Sequence, residues 1–191
     1  MQQANASDNL LVLGTAQDGG YPHTGCSEDC CREAWKDSNQ KRLIASLAVL
    51  DGKDCFLVDI TPDFKYQLQL IEHHLDEKPR ISGICITHAH LGHYMGLLEL
   101  GLEVMNTDAI PVYVMPKMKS FLENNAPFTQ LLELNNIRLL ALQDNYPIDI
   151  FKDVKIIPFQ VPHRNEYSET VGYRIQRSEE RRVGKECRSR W

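Results

Sequence analysis

Long apolar runs are absent from this chain of 191 residues; none approaches the roughly 20 that a membrane-spanning helix requires. The first residues, Met1 to Asn9, have neither the basic n-region nor the apolar h-region of a secretory signal. Excess basic charge is absent too. Lys and Arg number 21 against 26 Asp and Glu, a formal net charge of -5. Binding along a phosphate backbone takes basic stripes, so nucleic acid is disfavoured as a general partner. No internal repeat and no Pro/Ser-rich linker divides the chain. A cytoplasmic or otherwise reducing compartment is therefore expected. There, the six cysteines read as metal ligands, core residues or free thiols rather than as a disulfide framework.

Hydrophobic residues at 42% and charged residues at 25% are enough for one packed domain. Leu10 to Leu13 reads as a buried strand, followed by a loop rich in Gly, Thr, Asp and Pro up to Gly25. Ala45 to Leu50 and Cys55 to Ile60 flank Asp51-Gly52, a hairpin signal. Pro62 opens a helix to Leu75, with His73 and His74 near its end, where the helix dipole favours cations. Ile81 to Thr87, Val112 to Met115, Val154 to Val161 and Thr170 to Ile175 read as strands. Glu28 to Lys36, Gly92 to Val104, Lys117 to Asn124 and Phe128 to Leu134 read as helices. Strands that lead and then alternate with helices predict a layered α/β domain. Met105, Met115 and Met118 are expected in its core, as are Cys55 and Cys85.

Thr87-His88-Ala89-His90-Leu91-Gly92-His93 is the stretch with the most chemistry in it. In an extended segment, side chains two apart point the same way, so His88 and His90 can converge on one point. His93 starts the next helix and can turn toward the same cavity. Neutral imidazole is a strong ligand for zinc, iron and related ions.

The stretch resembles the H-x-H-x-D-H signature of the metallo-β-lactamase superfamily. That resemblance runs from Leu10 to Gln176 and implies an αββα sandwich. It matches Asp59 to the buried aspartate that braces the metal loop, and His163, in Val161-Pro162-His163, to the next metal ligand. His88, His90 and His163 would then hold a metal with one position open, and His93 would serve a second. Within the superfamily the chain resembles the pyrroloquinoline quinone biosynthesis protein B group. The matching stretches are Leu13-Gly14-Thr15-Ala16 with Gly19-Gly20, Gly25-Cys26, the histidine motif, and Pro162-His163-Arg164-Asn165-Glu166 leading to Thr170-Val171-Gly172-Tyr173-Arg174. Related groups have C-x-C-x-x-C in the early loop, so Cys26, Cys30 and Cys31 resemble a structural zinc site, with Glu28 in place of the middle cysteine and Cys30 additional.

Two departures stand out. Gly92 takes the place of the signature aspartate, which in the family ligates the second metal and orients water. An aspartate introduced at 92, in a full-length version of the domain, is accordingly expected to raise the bound metal count. In addition, no His or Asp follows His163, so the later ligands of a dinuclear site are missing. The tail changes character as well. Residues 177–191 carry six Lys and Arg against three Glu, the reverse of the acidic remainder. We therefore read residues 1–176 as a metallo-β-lactamase-like domain incomplete at its C-terminal end, and 177–191 as a non-native tail. The resemblance implies a metal-dependent hydrolase, with zinc the expected ion and a small-molecule ester, amide or phosphoester as substrate, attacked by metal-bound hydroxide. Two other readings stay open: an iron-dependent hydroxylase like the biosynthesis group, and a non-catalytic binding protein. No membrane partner is expected, and no catalytic residue is assigned beyond the ligands.

Overall fold

Apolar side chains alternating between two faces of the central strands set up the layers. A computed structural model describes residues 10–178; Cys187 and the tail from 179 onward lie outside that range. In β2 (Ser46–Asp51) and β3 (Asp54–Val58), Ala48, Leu50, Cys55 and Leu57 enter one core while Val49, Phe56 and Val58 enter another. Side chains of successive strand residues point to opposite faces, so strands buried on both sides read as continuous apolar runs.

The larger sheet has six strands in the order β1-β2-β3-β4-β5-β6. Here β1 is Leu10–Gly14, β4 Arg80–Cys85, β5 Ile110–Val114 and β6 Ile137–Ala141. Pairing is antiparallel from β1 to β3 and parallel from β3 to β6. The helices are α1 (Asp29–Lys36), α2 (Phe64–Leu75), α3 (Leu91–Tyr94), α4 (Pro116–Glu123) and α5 (Phe128–Glu133). Phe64 and Ile71 of α2, with Met118 and Leu122 of α4, pack on Ile84, Val112 and Val114 of the sheet. Each such fully buried aliphatic side chain contributes about 1.5–3 kcal/mol relative to exposure.

The other face of the large sheet meets a smaller antiparallel one of β7 (Ile148–Phe151), β8 (Val154–Gln160) and β9 (Val171–Arg177). Val154 and Ile156 of β8 share a core with Val49, Phe56, Val58 and Cys85. The described layers are thus helices, sheet and sheet, and every element after β6 is a strand. Arg177 pairs with Val154, so β9 continues one residue into the segment read as tail.

The structure departs from the sequence reading at several places. The helix expected from Gly92 to Val104 is only α3 followed by a 3-10 turn over Met95–Leu100. Ile60 N donates to His93 O at 3.0 Å, taking the carbonyl that an α-helix would pair with residue 97, and Ile60 O accepts from Gly96 N at 3.0 Å. Strands β6 and β7 were not foreseen. Both are short, and much of each is only half-buried, so neither shows a clean apolar run. Met115 and Met118 are buried, but Met105 is exposed, beyond the end of the 3-10 turn.

Candidate metal centre

Strands β3 and β4 run parallel, and their C-terminal ends deliver Asp59 and the Thr87–His93 segment to the same edge of the sheet. This is where open α/β sheets generally place ligands. Asp59 has a left-handed backbone, φ 65°, a conformation Asp tolerates better than most residues. That turn aims a buried carboxylate into the histidine loop. Asp59 Oδ1 accepts from Thr87 N at 2.7 Å, and Oδ2 accepts from Thr87 Oγ1 at 2.9 Å and from His93 Nδ1 at 2.7 Å.

These bonds set the tautomers. Thr87 Oγ1 spends its single proton on Asp59, so at 2.9 Å it must accept from His88 Nδ1. His88 Nε2 is then left with a lone pair facing inward. It lies 2.9 Å from His90 Nδ1. On the outer side of His90, Nε2 is 3.3 Å from an Arg164 guanidinium nitrogen and 3.8 Å from Glu166 Oε2. His163 follows β8, and its ring centroid is 5.1 Å from that of His88 and 5.0 Å from that of His90.

The donor set fits a metal ion. One nitrogen from each of His88, His90 and His163 lies within 4.8 Å of the others. Tetrahedral zinc with Zn–N near 2.05 Å would separate its nitrogens by about 3.4 Å. Burial, reinforced by the neighbouring His93, His90 and His163, pushes the His88 imidazole down to about 3, so it stays neutral at ordinary pH. His93 shifts the other way. Burial pulls it down, but the hydrogen bond to Asp59 and the charges of Asp59 and Asp18 outweigh that.

Distant parts of the chain lock the loop. Ala89 N donates to buried Ser168 Oγ at 2.8 Å, Val171 N to Thr87 O at 3.0 Å, and Tyr173 OH to Ile86 O at 2.7 Å. The segment carrying His163 is therefore tied to the segment carrying His88 and His90. Ser168 carried no sequence signal in the loop before β9, and Tyr173 stood out only as part of the stretch Thr170–Arg174 that resembles the biosynthesis group.

The four imidazoles line a cleft of about 380 Å³ together with Asp18, His23 and Arg164. A larger cleft of about 630 Å³, lined by Tyr21, Trp35, Arg42 and Tyr66 among others, shares Asp18 and Gly19 with it. Asp18 was not singled out in a loop recognised only by its Gly, Thr, Asp and Pro content and by Gly19-Gly20. The expectation for an aspartate at 92 needs correction: a Cβ on Gly92 would sit 2.7 Å from Asp18 Cα, so the space is already filled.

In the early loop, Cys26 Sγ and Cys30 Sγ are 3.8 Å apart and Cys30 Sγ and Cys31 Sγ 3.9 Å. His23 N donates to Cys31 Sγ at 3.3 Å, which lowers that thiol. All three sulfurs lie within 4.8 Å of one another, a second constellation able to hold a cation. Cys55 and Cys85 are fully buried core residues.

A sandwich with imidazoles gathered at the strand ends defines a class, and the family comparison agrees: residues 55–184 match the beta-lactamase superfamily domain, and the chain belongs to that superfamily. Among its members it is similar to coenzyme PQQ synthesis protein B. It is 27% identical to the protein from Xanthomonas campestris pv. campestris (strain B100) over 161 residues, covering 80% of this chain and 52% of the relative. It is 28% identical over 165 residues to that from Rhodopseudomonas palustris (strain BisB5), with the same coverage of 80% and 52%. The chain thus spans about half the length of the curated relatives it matches. The Zn(2+)-bound PqqB of Methylobacterium extorquens superposes with a TM-score of 0.74 at 23% identity, covering 88% of this chain and 62% of that one. A diphosphatase of the PhnP family superposes with a TM-score of 0.63 at 26% identity, covering 87% and 61%.

Proposed function

We propose that the chain carries the metal centre of a hydrolase acting on a small-molecule ester, amide or phosphoester, with zinc as its ion. One observation carries the reading: imidazoles from two distant segments bring three nitrogens within 4.8 Å at the edge of a cleft. His88 would bind through Nε2, His90 through Nδ1, and His163 through either nitrogen. A divalent cation held there supplies a Lewis acid and lowers the pKa of bound water toward about 7.

The chain's own groups do the rest. Asp59 and Thr87 hold His88 in the tautomer that offers Nε2. To offer Nδ1, His90 must carry its proton on Nε2, which points toward Glu166 Oε2 at 3.8 Å and would turn the Arg164 guanidinium, now 3.3 Å from that nitrogen, toward the cleft. Arg164 lines the cleft and is placed to bind a substrate oxyanion. The adjoining larger cleft, with aromatic walls and Arg42, gives room for the remainder of a small molecule. Similarity to a diphosphatase, 26% identical, supports hydrolysis.

The test is a panel of nitrophenyl esters and phosphodiesters assayed with zinc-loaded and chelated chain. Hydrolysis that disappears with chelator and falls in His163→Ala by at least the roughly 10–100-fold typical of damaged metal sites supports the reading. Three imidazoles that leave a position open also suit iron, which supports a second reading, oxidative chemistry at the same centre. Oxygen uptake coupled to product by iron-loaded chain, without hydrolysis by the zinc form, would select it.

A further inference from the structure

Gly92 leaves a gap beside His93, and the loop after β1 fills it. A Cβ built on Gly92 would lie 2.7 Å from Asp18 Cα, 2.8 Å from Asp18 Oδ1 and 2.9 Å from Asp18 Cγ. A side chain at 92 and this carboxylate cannot share the space. Asp18 Oδ1 reaches within 3.3 Å of His93 Nε2, with the Asp18 side chain 40% exposed. The other nitrogen of that ring, Nδ1, donates to Asp59 Oδ2 at 2.7 Å. Nε2 is therefore the nitrogen that faces Asp18: without a cation it donates to Oδ1, and a divalent ion would take the place of that proton. The His93 and His88 ring centroids are 4.3 Å apart. Asp18 and His93 also line the same cleft as the other three imidazoles.

The loop holds the carboxylate in place. Gly20 N donates to Gln17 O at 2.7 Å and Thr24 N to Gly19 O at 3.1 Å. The His23 ring covers Gly19, where an added Cβ would lie 2.3 Å from His23 Nε2.

We propose that Asp18 Oδ1 and His93 Nε2 are protein ligands of a second divalent cation beside the His88–His90–His163 position, the carboxylate coming from the loop after β1 rather than from the histidine motif. The inference rests on the triad being a metal centre. A carboxylate and an imidazole together suit zinc, manganese or cobalt. With two ligands from the described residues, the remaining positions go to water or substrate, so this ion binds more weakly than the first. Such an ion would supply a second Lewis acid beside the first.

Cobalt(II) titration of the full chain tests this, with bound ions counted by elemental analysis after equilibrium dialysis against known free cobalt. Thiolate-to-cobalt charge transfer reports the cysteine cluster separately from the imidazole positions. The native chain should bind two cobalt ions outside the cysteines. Asp18→Asn keeps the shape and a hydrogen-bonding oxygen but is a poor ligand; it should weaken the second ion by about tenfold or more while leaving the first ion and the thiolate band unchanged. Asp18→Glu should restore part of the loss. Asp18→Asn binding both ions as tightly as the native chain overturns the proposal, and so does a native chain holding a single imidazole-bound cobalt. A chain with no imidazole-bound cobalt at all overturns the proposed function as well.

Discussion

Asp59 connects more of the site than any other side chain. It receives Thr87 N, Thr87 Oγ1 and His93 Nδ1 on two carboxylate oxygens while its backbone holds a left-handed turn. Asp59→Ala should weaken metal binding by roughly 10–100-fold through disordered imidazoles, read by zinc competition against a chromophoric chelator. Asp59→Asn should do less to folding but still remove the acceptor for His93. Gly92 gives a second prediction at this scale. Gly92→Ala places a methyl within 3 Å of the Asp18 backbone, so it should cost about 1–3 kcal/mol by overpacking, visible in a denaturant melt. The sequence made the histidines legible, because imidazoles two apart at a strand end have few other uses. It hid Asp18, because a carboxylate in a glycine-rich loop looks like any solvated turn residue until Gly92 is seen to face it.

Elements differ in how far local pattern decides them. Strands β2 and β3 were readable because burial on both faces demands nearly unbroken apolar runs. The segment after His93 was misread because its apolar spacing is helical, whereas Ile60 takes the carbonyl that an α-helix needs. Tertiary pairing overrode local pattern there. Ile84 in β4 is fully buried between the sheet and the helices, so Ile84→Ala should cost about 2–5 kcal/mol in denaturant unfolding. The strand thiols make a chemical prediction. Burial pushes Cys55 up to about 12 and Cys85 well above its ordinary value. The thiolate is the reactive form, and a raised pKa keeps it scarce at neutral pH. Native-state alkylation mapped by mass spectrometry should therefore spare Cys55 and Cys85 while labelling Cys26, and more slowly Cys30, which is exposed but pushed up to about 11 by its hydrogen bonds with Cys26 and Cys31. Zinc should protect those two if the cluster holds it.

At the scale of the molecule, the centre is assembled from three regions: the loop after β1, the edge of the large sheet and the loop after β8. Contacts across the sandwich through Ser168, Val171 and Tyr173 tie the His163 segment to the other imidazoles. Sequence supplied the superfamily and three of these regions' landmarks by resemblance, but the mutual distances came from packing. No helix among the described residues is long and apolar enough to cross a membrane. The central claim is that His88, His90 and His163 hold one ion together. It is tested most directly by zinc X-ray absorption on a Cys26→Ser, Cys30→Ser, Cys31→Ser chain loaded with one equivalent. The account predicts three imidazole nitrogens at about 2.0–2.1 Å, falling to two in His163→Ala. A first shell with the same number of imidazoles in both chains would contradict it.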